Sequence, residues 1–163
     1  MTATRQNSIL RHLLHAPVHL YQWRFGWLLG KRFLLLTHVG RRSGVRYQTV
    51  LEVMEYREHE PEGSPEIVVM SGFGRTANWL RSIEALPEAE VTVGSLRFSA
   101  AYRALDTEDA VNVVRRYEER NRLIAPVVRF VLSRLLGWKY SGSESEHRRL
   151  VDQLPLIAFW PRS

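Results

Sequence analysis

The sequence has 163 residues, 45% of them hydrophobic, which is enough for one globular domain with a sizeable core. It contains no cysteine, so disulfides, thiolate metal sites and a cysteine nucleophile are excluded. The formal net charge is +6, and residues 1–51 contain eight basic residues and no acidic one. This asymmetry indicates an anionic partner, such as a phosphate-bearing ligand, a membrane surface or a nucleic acid. A solvated basic face is the alternative.

Residues 8–30 are predicted to form one amphipathic helix, or two that restart at Pro17, because apolar residues recur there at helical spacing. Arg11 and Arg24 are among the residues that interrupt this segment too often for a membrane span. Its basic residues and tryptophans suit a membrane interface, whereas packing against the domain is the favoured interpretation. We expect a cytoplasmic protein, with peripheral contact at the inner face of the membrane as an open alternative. The histidines of this segment have no nearby carboxylate or cysteine, so no metal site is predicted.

Strand patterns follow, and a glycine-bounded basic turn joins the first two strands into a hairpin. A polar loop is predicted from Arg57 to Ser64, and Thr76 is expected to cap a short helix that ends near Pro87. Gly94 and Ser95 form a tight turn between two later strands. The predicted strands in this region are Phe33–Val39, Tyr47–Tyr56, Glu66–Ser71, Ala89–Val93 and Leu96–Leu105.

The C-terminal third is predicted to be mainly helical, with one last strand. Asp106 or Thr107 caps the first helix, and Pro126 lies in the first turn of the second. The predicted elements are helices to Arg120, over Leu123–Trp138 and over Glu144–Gln153, and a strand over Leu156–Trp160. The fold class is therefore mainly β with peripheral helices (α+β), an antiparallel barrel of about six strands. We expect one domain over 1–163, with an N-terminal helical segment (1–30), a barrel core (31–105) and a region of helices and a last strand (106–163).

Two glycine-rich turns are the strongest candidates for a ligand site. "GRRSG" at 40–44 combines backbone donors with guanidinium groups that can bind phosphate in bidentate fashion. "SGFG" at 71–74 lets a ligand approach the backbone before a helix whose first N–H groups favour an anion. Each turn alone is weak evidence, since solvated arginines at a hairpin tip are common. Together they favour a phosphorylated ligand.

Several spaced motifs resemble the deazaflavin-dependent nitroreductase family. They are G-R-R-S-G at 40–44, T-V-L-E-V at 49–53, S-G-F-G at 71–74 with N-W-L at 78–80, and V-T-V-G at 91–94. The resemblance implies a split β-barrel of the flavin-reductase type that binds coenzyme F420, with FMN as the alternative. Tyr47 departs from the pattern, because the family often has an arginine there.

The resemblance also implies which residues bind the cofactor. Arg41, Arg42, Ser43 and Gly44 would hold its phosphate and acidic tail. The residues expected to lie along the deazaflavin ring are Thr49, Val50 and Leu51. The ring is expected to be enclosed by Ser71, Gly72, Phe73 and Gly74. The wall of the cofactor site is expected to be completed by Asn78 and Trp79.

The implied reaction is hydride transfer from reduced F420 to a small hydrophobic unsaturated, quinone-like or nitro substrate. The weak candidates for a proton donor are Ser71, Tyr47 and Tyr102. A non-catalytic split barrel that binds flavin, heme or lipid is the alternative function. No nucleic-acid partner is expected, because aromatic platforms interleaved with cations are missing from the strands. A homodimer is compatible with the family.

Overall fold

The computed structural model describes residues 30–59 and 64–162, which form a closed antiparallel barrel of six strands with four α-helices. The strands are β1 (Phe33–Val39), β2 (Arg46–His59), β3 (Ser64–Met70), β4 (Ala89–Val93), β5 (Leu96–Ala104) and β6 (Leu156–Pro161). The helices are α1 (Asn78–Ala85), α2 (Thr107–Arg120), α3 (Ala125–Leu136) and α4 (Glu144–Gln153), and a 3-10 turn (Gly74–Thr76) precedes α1. The predicted fold class is confirmed.

The strand order is β1-β2-β3-β6-β5-β4, and pairing of β1 with β4 closes the barrel. Since every pair is antiparallel, β1 and β3 run in the same direction and both end at the same end of the barrel. The strand β4 begins at that end, because Ala89 pairs with His38. The helix α1, which connects β3 to β4, therefore lies at this end.

The barrel interior is apolar and is plugged by α1. Alternating residues of the strands point inward, and the largest of them, Phe159 of β6, is fully buried. From α1, Trp79, Leu80 and Ile83 complete this core, and the Trp79 ring lies 6.4 Å from the Phe159 ring. The plug is therefore part of the hydrophobic core.

A second core lies between the outer face of the barrel and the C-terminal helices. It joins Met54, Val68 and Leu156 to buried residues of α2 and α4, such as Val113 and Leu150. The strands β3 and β6 are therefore covered on both faces, which explains their nearly continuous apolar stretches, whereas β2 contributes only Met54, among the described residues, to this second core.

Several predicted element boundaries differ from the structure. The helix predicted over Leu123–Trp138 is shorter, Ala125–Leu136, and the strand predicted over Glu66–Ser71 lies at Ser64–Met70. The strand β2 extends to His59 into the predicted polar loop, because Arg57 and Glu58 pair with Glu66 and Pro65 of β3. Thr76 was expected to cap the helix, and this is wrong. Its hydroxyl donates to the Phe73 carbonyl at 2.9 Å within the 3-10 turn, and α1 begins after Ala77 without a side-chain cap.

Other predicted boundaries agree with the structure. Asp106 caps α2, since its carboxylate accepts a hydrogen bond from the Asp109 N–H at 2.9 Å. A capping box formed by Ser143 and Glu146 begins α4. The predicted helix within 8–30 lies, except for Gly30, outside the described residues. No helix in the described part of the chain is long and apolar enough to cross a membrane.

A buried ionic network fastens α2 to the barrel. Arg57 contacts the carboxylates of Glu55 at 2.7 Å, Glu66 at 2.9 Å and Asp109 at 2.8 Å. Arg116 of α2 binds Glu55 at 2.6 Å, and Arg103 of β5 binds Glu66 at 3.2 Å. Because Glu55 and Glu66 are only 8% and 6% exposed, either would be costly without its cation.

We predict that Arg57→Met lowers the free energy of unfolding by about 3 kcal/mol, because it leaves buried carboxylates without their shared cation. Urea denaturation measures the change. The matched control is Arg97→Met, which removes a surface pair with Glu90 in which the arginine side chain is 67% exposed. We expect the control to change stability by less than about 1 kcal/mol. Equal effects of the two substitutions would contradict the central role of Arg57.

The same network predicts loss of stability in acid. Burial opposes ionisation of Glu55, but hydrogen bonds from Arg116 and Arg57 outweigh it and lower its pKa. The hydrogen bond from Arg57 likewise lowers the pKa of Asp109. The stabilisation by these two ionised carboxylates is fully present above their pKa values in the unfolded chain, which are about 4. It is lost as the pH falls through their lower pKa values in the folded protein. Urea titrations from neutral pH downward should show this decline, with a shallower slope for Arg57→Met.

Candidate functional site

The two glycine-rich turns lie at the same end of the barrel, around α1. The 40–44 turn follows β1, and the 71–74 turn follows β3. The Arg41 guanidinium donates to the Asn78 carbonyl at 3.5 Å, which connects the first turn to the beginning of α1. Residues that are 37 positions apart in the sequence thus meet at one site.

The 40–44 turn is a compact loop with basic side chains on its surface. The Gly44 N–H donates to the Gly40 carbonyl at 2.9 Å, and the Gly40 N–H donates to the Val45 carbonyl at 2.8 Å. Gly44 has φ +65°, which favours glycine. Arg42 is exposed and forms no ion pair with any residue in 30–59 or 64–162. Its charge is available to an anionic ligand.

Tyr47 packs against this turn. Its hydroxyl lies 3.2 Å from the Ser43 hydroxyl, and its side chain fills the space beside Gly40. A Cβ at Gly40 would lie 2.5 Å from Cε2 of Tyr47 and 2.7 Å from Oγ of Ser43. Tyr47 also lines a cleft of about 360 Å³ on the barrel surface, together with Arg46 and with the ion pair of Arg97 and Glu90. Position 47, where the sequence departs from the family pattern, thus lies between the turn and a partly basic cleft.

The 71–74 turn is held from within. Ser71 is fully buried, and its hydroxyl donates to the Gly74 carbonyl at 2.7 Å. Gly74 has φ +64°, and a Cβ there would lie 2.9 Å from the Gln153 carbonyl oxygen. Phe73 is 52% exposed beside the turn, and Gly72 is partly buried. The turn therefore presents backbone and one aromatic ring, while the Ser71 hydroxyl stabilises its shape.

The remaining residues that were predicted to contact the cofactor differ in burial and in the face of the barrel on which they lie. Thr49 and Leu51 point into the barrel, opposite Leu36 and Leu34, whereas the side chain of Val50 lies on the outer face. Asn78 is exposed at the beginning of α1, but Trp79 is 6% exposed and belongs to the barrel core. A ligand at this end would meet Asn78 directly and rest on a wall that Trp79 supports from inside.

The three proton-donor candidates are not equivalent. The buried Ser71 hydroxyl already donates its hydrogen bond to the Gly74 carbonyl within the turn. The Tyr102 hydroxyl donates to the Ile83 carbonyl at 3.1 Å, and burial raises the pKa of Tyr102. Tyr47 is 47% exposed, and its hydroxyl contacts only a partly solvated serine among the described residues. The structure makes Tyr47 the accessible member of the three.

His38 lies beside two of the candidate residues, Tyr47 and Thr49, but was not predicted from the sequence. It pairs with Tyr47 across β1 and β2, and the two rings stack with centroids 6.0 Å apart. Its Nε2 lies 3.4 Å from the Thr49 hydroxyl, while the buried Nδ1 has no hydrogen-bond partner among the described residues. Burial lowers the pKa of His38, so the ring is neutral at physiological pH. The signal for it was a histidine at an inward position of an apolar strand.

The family model for F420H(2)-dependent quinone reductase matches residues 21–126, which include both glycine turns. The chain belongs to the F420H(2)-dependent quinone reductase family. It is an F420-dependent oxidoreductase, as the resemblance implied. The wider nitroreductase description is compatible with this family.

Solved structures with similar folds have low sequence identity to this family member. An F420-H2 dependent reductase, FDR-A, is 15% identical, with 81% of this chain and 96% of that chain covered and a TM-score of 0.48. A putative pyridoxamine 5'-phosphate oxidase from Listeria innocua is 11% identical, with 87% and 92% covered and a TM-score of 0.48. The heme storage protein HutZ from Vibrio cholerae is 11% identical, with 87% and 89% covered and a TM-score of 0.47. No curated protein matches the sequence significantly.

We predict that Gly40→Ala displaces Tyr47 and lowers the free energy of unfolding by about 1 to 3 kcal/mol, because a Cβ overlaps the ring. A double-mutant cycle tests this. In a Tyr47→Ala background, Gly40→Ala should lower the free energy of unfolding by less than it does in the wild type. The control is Gly44→Ala, where no atom lies within 4 Å of the new Cβ but φ is +65°. Its cost of about 1 kcal/mol should be the same in both backgrounds. An unchanged cost of Gly40→Ala would contradict the overlap.

Proposed function

We propose that this F420-dependent oxidoreductase binds its cofactor across the α1 end of the barrel and reduces a hydrophobic quinone-like, unsaturated or nitro substrate. The observation that carries the proposal is the contact between Arg41 and Asn78. It joins the basic 40–44 turn to the beginning of the helix that follows the 71–74 turn. This contact supports the binding of a single ligand across the two turns.

The chemistry of this surface fits an anionic cofactor. Arg42 has no acidic partner in the described part of the chain, and the first turn of α1 has no side-chain cap. Guanidinium groups bind phosphate and carboxylate in bidentate fashion, and uncapped helix N–H groups favour negative charge. We assign the phosphate and acidic tail to Arg41, Arg42, Ser43 and Gly44, with Arg46 beside them in the cleft next to Tyr47.

We assign the planar ring of the cofactor to the same end of the barrel. Gly72 has no side chain to block a ligand that approaches the 71–74 turn, whereas buried Gly74 is required by its positive φ and by the Gln153 carbonyl beside it. Phe73 and Asn78 are exposed on one side, and Thr49 lies on the inner face of β2. We assign these residues to the ring site, with Val50, Leu51, Ser71 and Trp79 as its supporting layer.

The reduced deazaflavin, when bound, supplies a hydride to the acceptor. The protein positions the two molecules and provides a proton where the acceptor needs one. We assign the proton to the Tyr47 hydroxyl, which is accessible and is oriented by Ser43 at 3.2 Å. The neutral His38 ring behind Tyr47 helps to fix its position through the stacked contact.

The acceptor is assigned to the apolar edge of the site. Phe73 is 52% exposed there, and Leu135 of α3 lies near Gly72. An apolar ring and an aliphatic side chain favour a hydrophobic substrate. FMN is only the alternative to F420, and a homodimer and contact of the N-terminal segment with a membrane remain predictions.

We predict that Arg41→Ala combined with Arg42→Ala weakens F420 binding by about 2 to 4 kcal/mol, the scale of losing two charge-assisted contacts. Quenching of deazaflavin fluorescence measures affinity, and menadione-dependent oxidation of reduced F420 measures turnover. The matched control is Arg148→Ala with Arg149→Ala, another adjacent pair of exposed arginines. If Arg41→Ala with Arg42→Ala binds F420 as tightly as the wild type does, the assignment of the phosphate and acidic tail to this turn is wrong. Tighter binding of FMN than of F420 would overturn the cofactor assignment.

A further inference from the structure

The outward face of α3 is an exposed apolar stripe. Within α3 the exposed fractions are 64% for Val127, 60% for Phe130 and 42% for Val131. Leu123, in the turn before the helix, is 99% exposed and extends this apolar surface. The opposite face of α3 packs Val128, Leu132 and Leu136 into the second core. The helix is therefore apolar on both sides, although only one side is covered. We call these four exposed residues the α3 face.

Cations surround the α3 face. Arg122 precedes it, and Arg134 and Lys139 follow it, and none of the three forms an ion pair with a residue in the described ranges. The Arg134 guanidinium lies 5.3 Å from the centre of the Phe130 ring. A shallow cleft of about 480 Å³ is lined here by Phe130, Arg134, Trp138 and Lys139, together with Ser133 and Gly137. An apolar stripe and unpaired cations thus share one surface.

The charges decide between possible occupants of this surface. A second copy of the chain would bring like charges together in a two-fold contact, which opposes association. Residues 1–29 contain Arg5, Arg11 and Arg24 and no acidic residue, so this segment carries the same sign of charge. An apolar phase with a negatively charged boundary satisfies both the stripe and the cations.

We propose that the α3 face binds the surface of an anionic lipid bilayer. Val127 and Phe130 enter the acyl boundary, while Arg134 and Lys139 contact lipid phosphates beside Trp138. In this contact the burial of apolar side chains and the attraction between cations and lipid phosphates act together, as they do at other protein surfaces that bind anionic membranes. The amphipathic ring of Trp138 suits the level of the headgroups.

The α3 face also adjoins the candidate site. Leu135 lies on the next helical turn, and its Cδ1 is 3.9 Å from the position of a Cβ on Gly72. A hydrophobic acceptor dissolved in the bilayer would thus be near the 71–74 turn. This last step rests on the proposed function, whereas the binding of lipid by α3 does not.

Vesicle sedimentation with the full chain tests the proposal. Wild type should bind vesicles of phosphatidylcholine with phosphatidylglycerol, and added salt should weaken the binding. Val127→Ser with Phe130→Ser should lower the partition coefficient about tenfold, because buried apolar area is lost. Arg134→Glu with Lys139→Glu should abolish the preference over pure phosphatidylcholine. The matched control is Leu86→Ser with Leu96→Ser, since these leucines are 39% and 43% exposed elsewhere.

Three results would overturn the proposal. Wild type could bind both kinds of vesicle equally or not at all. The serine double variant could bind as wild type does, which would assign any binding to the N-terminal segment. It could also change only the oligomeric state in analytical ultracentrifugation, which would assign the α3 face to a second copy. F420 affinity, measured on the same preparations, should not differ among these variants. If the proposed cofactor site is wrong, the measurements of F420 affinity will show it, and the vesicle binding of these variants will not change.

Discussion

Closure of the barrel through the pairing of β1 with β4 is the constraint on which the candidate site depends. In a closed antiparallel barrel, successive connections alternate between the two ends. The connection after β1 and the connection after β3 must therefore emerge at the same end, and α1 occupies that end as a plug. Because Trp79 and Ile83 are buried in the barrel core, the beginning of α1 cannot move away from the two glycine turns. The site is held by the hydrophobic core.

Much of this fold was predictable because its elements have clear local signals. Alternating apolar residues predict the strands, and Asp106 and Pro126 predict where helices begin. The extension of β2 to His59 was not predictable, because Arg57 reads as a loop residue until its carboxylate partners on β3 and α2 are known. A charged residue in a strand is explained only by what lies opposite it.

The motifs of the candidate site could be predicted from the sequence, but the burial of its individual side chains could not. The sequence shows that glycine turns and arginines recur in the order of a cofactor-binding family. It does not show that Ser71 and Trp79 point inward, that Tyr102 bonds to Ile83, or that His38 stacks on Tyr47. Depth depends on pairing register and on the plugging helix, and both involve residues far apart in the chain. Motif spacing therefore points to the candidate site, and tertiary packing decides which of its side chains are buried and which are accessible.

The position of β6 has a consequence for how the chain acquires its structure. This strand lies between β3 and β5, and its Phe159 pairs with Ile67 on one side and Tyr102 on the other. During synthesis, β1, β2 and β3 can form hairpins early, but the barrel cannot close until β6 has left the ribosome. Until then β3 has an unpaired edge and the apolar interior is open, a state prone to aggregation. Long-range closure of this kind makes folding slow, so we expect newly made chains to depend on chaperones until the last strand is in place.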